Sequence, residues 1–325
     1  MNFEELDYRP TPVGALSLRR RRELSLGVDV FEIKLGDDYL MSSLFTASEV
    51  ALARLGLAEL SGTDLDVLVG GLGLGYTAKA VLECEAVKSL VIVEALDAVI
   101  DWHERGVLPL GPTLTADPRS KFVLGDFFAL AASRNGFDPG RPARRFDAIL
   151  VDIDHSPNFL LDPQNAAFYQ PAGLQRLAAH LLPGGVFGLW SNEVPDDAFT
   201  QRLAAVFAVA RAERVTFHNP LQNREFTQTI YLARSEMFKI LELDNTTSTT
   251  PSEVGDGFAT REDAVAAVKR HLKGFRASGH NPEGGYWWAR DAEGLRKCWV
   301  SADVDGAIDV VGVEGPNRGR RGPSA

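Results

Sequence analysis

Three acids sit where apolar runs stop. Ser89-Leu90-Val91-Ile92-Val93-Glu94, Lys121-Phe122-Val123-Leu124-Gly125-Asp126 and Phe146-Asp147-Ala148-Ile149-Leu150-Val151-Asp152 each read as a buried strand closed by a carboxylate. In a parallel sheet such ends share one edge, and open α/β sheets bind ligands outside that edge. Taken singly, each acid is also a good helix N-cap. A further constellation is Asp152-Ile153-Asp154-His155-Ser156-Pro157. In extended backbone Asp152 and Asp154 share a side, so the two carboxylates would hold an ammonium group. His155 would take a proton near neutral pH, its plainer role being an oriented loop histidine. Glu193, after Trp190-Ser191-Asn192, is another acceptor-site candidate, or else an exposed loop acid.

The element that must position these groups is the run Asp66-Val67-Leu68-Val69-Gly70-Gly71-Leu72-Gly73-Leu74-Gly75-Tyr76. An apolar strand feeds a loop with glycine at 71, 73 and 75, and a helix follows from Thr77. Strand, glycine loop and helix bring backbone N–H groups beside a nucleotide-like ligand. The glycines allow positive φ and close approach of a ligand to the backbone. Alone, the pattern also fits any tight strand-to-helix turn. Glu94 follows about 20 residues later, where a carboxylate accepts the ribose hydroxyls of a bound nucleoside.

The stretch from Asp66 to Arg234 resembles the class I S-adenosylmethionine (AdoMet) methyltransferase fold, and within it the spermidine synthase (polyamine aminopropyltransferase) branch. The resemblance rests on the glycine run, Val91-Ile92-Val93-Glu94, Asp117-Pro118-Arg119 leading to Gly125-Asp126, the strand ending at Asp152, and Leu182-Pro183-Gly184-Gly185-Val186. It implies that Gly71, Gly73 and Gly75 hold the amino-acid end of the donor. Glu94 would hold its ribose and Asp126 its adenine amino group, while Asp152 would face the transferred group and the acceptor. It also implies an N-terminal β-sheet that closes the site and admits a homodimer.

This sequence departs from the family at several points. Leu74 stands where the spermidine synthases place an acid that meets the donor's amine. His155 stands where their second strand-end acid is the base. Their Tyr-His-Glu cluster is not recognisable in Ser43-Leu44-Phe45-Thr46-Ala47-Ser48-Glu49, where Thr46 and Glu49 instead have capping-box spacing. Val69 replaces the acid that many methyltransferases carry before the loop. Without Leu74's acid the decarboxylated donor is not required. Methyl transfer from AdoMet to a small amine-bearing acceptor is therefore the first expectation, with Asp152, Asp154 and His155 as catalytic candidates. Aminopropyl transfer from decarboxylated AdoMet to a polyamine is the alternative. A non-catalytic nucleoside-binding module is the second.

The expected fold class is α/β: a Rossmann-like methyltransferase sheet with an antiparallel last strand. Residues 1–48 form a small N-terminal β segment and 49–240 the methyltransferase-like domain. Residues 241–257 read as a Thr/Ser-rich linker, 258–313 as a small α+β module, and 314–325 as a disordered tail. The basic run Arg19-Arg20-Arg21-Arg22 reads as a solvated or inter-subunit strand end, with anion binding as the other reading. A net charge of −10 disfavours nucleic acid and suits cationic ligands. No apolar run is long enough for a membrane span, and no signal core is visible, so a cytoplasmic protein is expected. The two cysteines, Cys84 and Cys298, fall in different segments, so neither a disulfide scaffold nor a metal site is expected.

Overall fold

The computed structural model describes residues 3–11, 14–244, 250–290 and 294–302. The chain divides into two units, Met1–Ser235 and Glu236–Ala325. Unit 1 opens with an antiparallel meander of β1 (Phe3–Thr11), β2 (Gly14–Glu23), β3 (Val28–Leu35) and β4 (Asp38–Ser42). The first strand, β1, was not legible in the sequence. The arginine run lies on β2, and every member has an acid beside it. Arg19 pairs with Glu5, Arg20 with Glu4, Arg21 with Glu23 and Glu32, and Arg22 with Asp29. The strand-end reading therefore holds.

Next come α1 (Ala47–Ala58), β5 (Leu65–Gly70), α2 (Tyr76–Leu82), β6 (Val87–Glu94), α3 (Asp97–Glu104), α4 (Gly111–Ala116), β7 (Ser120–Leu124) and α5 (Phe127–Ala132). They are followed by β8 (Phe146–Val151), α6 (Pro171–Ala178), β9 (Leu181–Ser191), α7 (Asp197–Ala204), β10 (Val209–Asn219) and β11 (Arg224–Arg234). The seven strands order as β10-β11-β9-β8-β5-β6-β7. Strands β5 to β9 run parallel, and β10 and β11 antiparallel, as the missing helix between the last two requires.

The apolar strands bury both faces. Val67, Val69, Ile92 and Leu150 pack with Leu52 of α1, Val81 of α2 and Trp102 of α3. Leu68, Val91, Ile149 and Val151 pack on the other face with Phe127, Leu174 and Phe199 of α5, α6 and α7. The Asp-Pro-Arg motif is structural. Arg119 pairs with Asp117 and donates to the carbonyls of Leu82, Cys84 and Val87, tying the end of α2 to the start of β6.

Unit 2 begins earlier than its sequence suggests. Strands β12 (Phe238–Asp244) and β13 (Ser252–Phe258) occupy much of the span read as a linker. With α8 (Arg261–His271), β14 (Ala277–Asn281), β15 (Tyr286–Arg290) and β16 (Leu295–Ala302) they form a five-stranded antiparallel sheet, order β13-β12-β16-β15-β14, carrying one helix. The linker reading failed because β13 is an edge strand. Its residues are exposed or half-buried, so backbone pairing rather than hydrophobic alternation makes it a strand. The reading of 314–325 as a disordered tail lies outside the described residues. Among the described residues no helix is long and apolar enough to cross a membrane.

Gly71 marks where strand becomes site. Its φ is +92°, and an added Cβ would stand 2.1 Å from the Asp152 carbonyl oxygen. Left-handed backbone alone costs an L-residue about 1–2 kcal/mol. Gly71→Ala should therefore lower stability by about 2 kcal/mol or more, read as the urea midpoint of unfolding.

Candidate functional site

The carboxyl ends of β5, β6 and β8 come level, since Gly70 pairs with Val93 on one side and Val151 on the other. The glycine loop leaves this rim with φ of +92°, +46° and +90° at Gly71, Gly73 and Gly75. Glu94 sits directly behind it, 9% exposed. Its Oε2 accepts from the Leu72 N–H at 3.0 Å and its Oε1 from the Leu96 N–H at 2.9 Å. Burial holds its pKa above the ordinary carboxylate value, against the pull of those amides. The amides of Gly73 and Ala95 also approach its oxygens, so the backbone of the loop surrounds this carboxylate. Asp126 caps α5, accepting on Oδ1 from Phe128 N–H at 2.8 Å and Ala129 N–H at 3.3 Å. It is exposed, so Oδ2 remains for a ligand. Both capping and binding roles are open to it at once.

Asp152 follows the last residue of β8 and is half-buried. Thr77, at the start of α2, donates its hydroxyl to Asp152 Oδ2 at 2.8 Å and lies 3.4 Å from the Glu49 carbonyl oxygen. The geometry here adds a residue the sequence reading passed over. Glu49 is 7% exposed and lies near enough to Asp152 to feel its charge. Thr46 makes no side-chain cap, so the capping-box reading is corrected. Ser48 donates to Glu49 Oε2 at 2.8 Å, receives Trp190 Nε1–H at 2.8 Å, and lies 2.6 Å from the Gln228 amide. Burial raises the Glu49 pKa to about 7, with the Asp152 charge adding to it. Burial raises Asp152 to about 6, against the Thr77 hydrogen bond. The two titrate as a pair. Among the described residues no lysine or arginine forms an ion pair with either. One signal was present in the sequence. Glu49 falls with Leu52, Ala53, Gly56 and Leu57 on the core-facing side of α1.

The expected pairing of Asp152 with Asp154 does not form. The strand stops at Val151, so period-two alternation does not extend to residue 154. Asp154 is 1% exposed and accepts from Tyr169 OH and Leu161 N–H, both at 2.7 Å. It fastens the loop after β8 through those two contacts. His155 lies against Phe159, ring centroids 5.1 Å apart, and its carbonyl accepts from Asn192 N–H at 2.7 Å. Glu193 is an exposed loop acid whose carbonyl accepts from Thr229 Oγ1 at 2.6 Å. Leu74 is 2% exposed and part of the core, so its side chain meets no ligand. Phe159, Leu161 and Val194 stand exposed on the loops that follow β8 and β9. A cleft of about 330 Å³ bounded by Glu104, Leu114, Thr115, Ser120 and Phe122 lies by the opposite, amino-terminal end of β7 and holds none of these strand-end acids.

No protein-family model matches the sequence, and no curated protein matches it. Solved structures do resemble it. A spermidine synthase in complex with the transition-state analogue AdoDATO is similar with TM-score 0.54 and 18% identity, over 71% of this chain and 73% of that one. The spermidine synthase from Thermotoga maritima is similar with TM-score 0.53 and 18% identity, over 71% and 72%. The fold is thus that of spermidine synthase, as the sequence motifs implied.

The carboxylate pair predicts a pH signature. Raised pKa values mean that the folded chain keeps protons the unfolded chain has released. Stability is therefore fullest below the unfolded values and falls as pH rises through about 4 to 7. Glu49→Gln should gain about 1–3 kcal/mol over the parent at pH ~8 and nothing at pH ~4. Urea unfolding at the two pH values checks this, and an equal shift at both would remove the coupling.

Proposed function

We propose that the chain is a transferase that moves an aminopropyl group from decarboxylated AdoMet to a small amine of the polyamine class. The observation that carries this reading is the Glu49–Asp152 pair, two carboxylates at the mouth of the glycine loop with no basic partner among the described residues. Such a pair attracts an ammonium or sulfonium ion. AdoMet brings a carboxylate as well as an ammonium group, and the pair would repel it. The decarboxylated donor brings only positive charge. This reverses the order reached from Leu74, because position 74 lies in the core and says nothing about the donor. The spermidine synthase fold supports the same choice, and methyl transfer has no support from it.

In this reading the loop of Gly71, Gly73 and Gly75 lets the donor approach the backbone. Glu94 accepts the ribose hydroxyls and Asp126 the adenine amino group. The acceptor nitrogen attacks the propyl carbon bonded to sulfur, and that C–S bond breaks with its electrons going to sulfur. A neutral thioether leaves, and the amine's surplus proton passes to an ionised carboxylate of the pair, directly or through water. Phe159, Leu161 and Val194 offer apolar contact for the methylene chain of a polyamine. His155 and Glu193 remain candidates for an acceptor's far amine. A homodimer through β1, an edge strand with Phe3 and Tyr8 exposed, and a cytoplasmic location for a chain with two unpaired cysteines belong to the same proposal.

The test is to incubate the protein with decarboxylated AdoMet or AdoMet, each with putrescine or spermidine, and to follow the thioether product. Methylthioadenosine from the decarboxylated donor is expected. Turnover with AdoMet alone restores methyl transfer, and nucleoside binding without turnover across the panel leaves a binding module. Affinity for the decarboxylated donor should rise about tenfold or more from pH ~5.5 to ~8, since the pair ionises across that span. Calorimetry reads it, and Glu49→Gln should shrink the rise. Glu94→Gln should weaken donor binding by about 1–3 kcal/mol. Asp152→Asn should lower turnover more than donor affinity, and equal damage to both would remove its acceptor-facing role.

A further inference from the structure

A second cluster of ligating groups lies in unit 2. Glu242 on β12 and Cys298 on β16 are register partners in an antiparallel pair, so their side chains share one face of the sheet. That face packs against α8, whose last residue is His271. The three side chains converge. Glu242 Oε2 is 2.6 Å from His271 Nε2 and 3.4 Å from Cys298 Sγ, and all three ligand atoms lie within 4.8 Å of one another. Cys298 is fully buried and Glu242 nearly so, whereas the His271 side chain is 40% exposed and gives solvent access.

We propose that Glu242, His271 and Cys298 form a divalent transition-metal site, best matched to zinc, that ties the end of α8 to β12 and β16. Oxygen, nitrogen and sulfur donors together suit zinc, whose bonds of about 2.0–2.3 Å place ligand atoms about 3.3–3.6 Å apart in a tetrahedron. The present spacings bracket that value, so side-chain adjustment suffices. Charge also balances. A carboxylate, a thiolate and a neutral imidazole cancel a divalent ion. Arg296 is matched by Asp244, Nη2 to Oδ2 at 3.5 Å, while its Nη1 lies 3.4 Å from Glu242 Oε1. That contact orients the carboxylate and leaves Oε2 to the metal, as outer partners of metal ligands do. Without a metal, burial and the Glu242 charge push the Cys298 thiol up to about 12; binding would release its proton. The gain is structural. The apolar core of unit 2 is small, gathered around Ile240, Val268, Leu272 and Trp287, and a metal clip across helix and sheet supplements it. This site is independent of the proposed transfer reaction.

The experiment uses the full chain, stripped with chelator and then titrated with zinc alone or cobalt(II) alone. The expected result is one zinc per chain, a rise in melting temperature, and a cobalt spectrum with tetrahedral d–d bands and a thiolate charge-transfer band. Cys84→Ser should keep that band and Cys298→Ser should lose it. His271→Ala, at a partly exposed side chain that the fold tolerates, should weaken zinc binding about 100-fold, since loss of an outer partner already costs about 10–100-fold. Failure of the parent chain to bind zinc, or binding unchanged in either ligand variant, would overturn the proposal.

Discussion

Two carboxylates that have no counter-ion among the described residues set the terms for the whole rim. Glu49 is placed by a core-facing helix and Asp152 by a strand end, and the Thr77 hydroxyl binds the Asp152 carboxylate and reaches the Glu49 backbone carbonyl. Desolvating two acids side by side disfavours the empty, fully ionised state. In the proposed reading, a cation entering between them would relieve that cost and turn a liability of the free fold into affinity for an amine or a sulfonium. Strain of this kind gathers at functional sites because nothing in packing alone would preserve it.

The architecture explains why the strain is tolerated. The parallel strands β5 to β9 are buried on both faces by two separate apolar clusters, so the rim is a small perturbation on a large core. Glu94 has a structural duty there, since its carboxylate holds the N–H groups of Leu72 and Leu96 and so fixes the glycine loop. Asp154, 1% exposed, likewise shapes the loop after β8, its oxygens accepting from Tyr169 and Leu161.

Similarity to spermidine synthase at 18% identity fixes the fold and leaves the chemistry to the residues. Here position 74 of the glycine loop is a core leucine, and α1 brings the buried Glu49 near Asp152. A preference for methyl transfer drawn from Leu74 assumed that this side chain faced the ligand. The structure turns it inward.

The sequence by itself determined the α/β frame, the strand-end positions of Glu94, Asp126 and Asp152, and the antiparallel finish of the sheet. These follow from local signals: apolar runs of strand length, glycines that allow positive φ, and the presence or absence of a helix between strands. Only tertiary structure decided the partners of those acids. Glu49 lies about 100 residues from Asp152 along the chain, so no spacing rule links them. Asp154 parted from Asp152 because alternation ends where the strand ends. Glu242, His271 and Cys298 met because β12 and β16 pair across a helix, and β13 became a strand through backbone pairing at an edge. Long-range contacts are made by packing, and packing leaves its trace in a sequence only as the side of an element that must be buried.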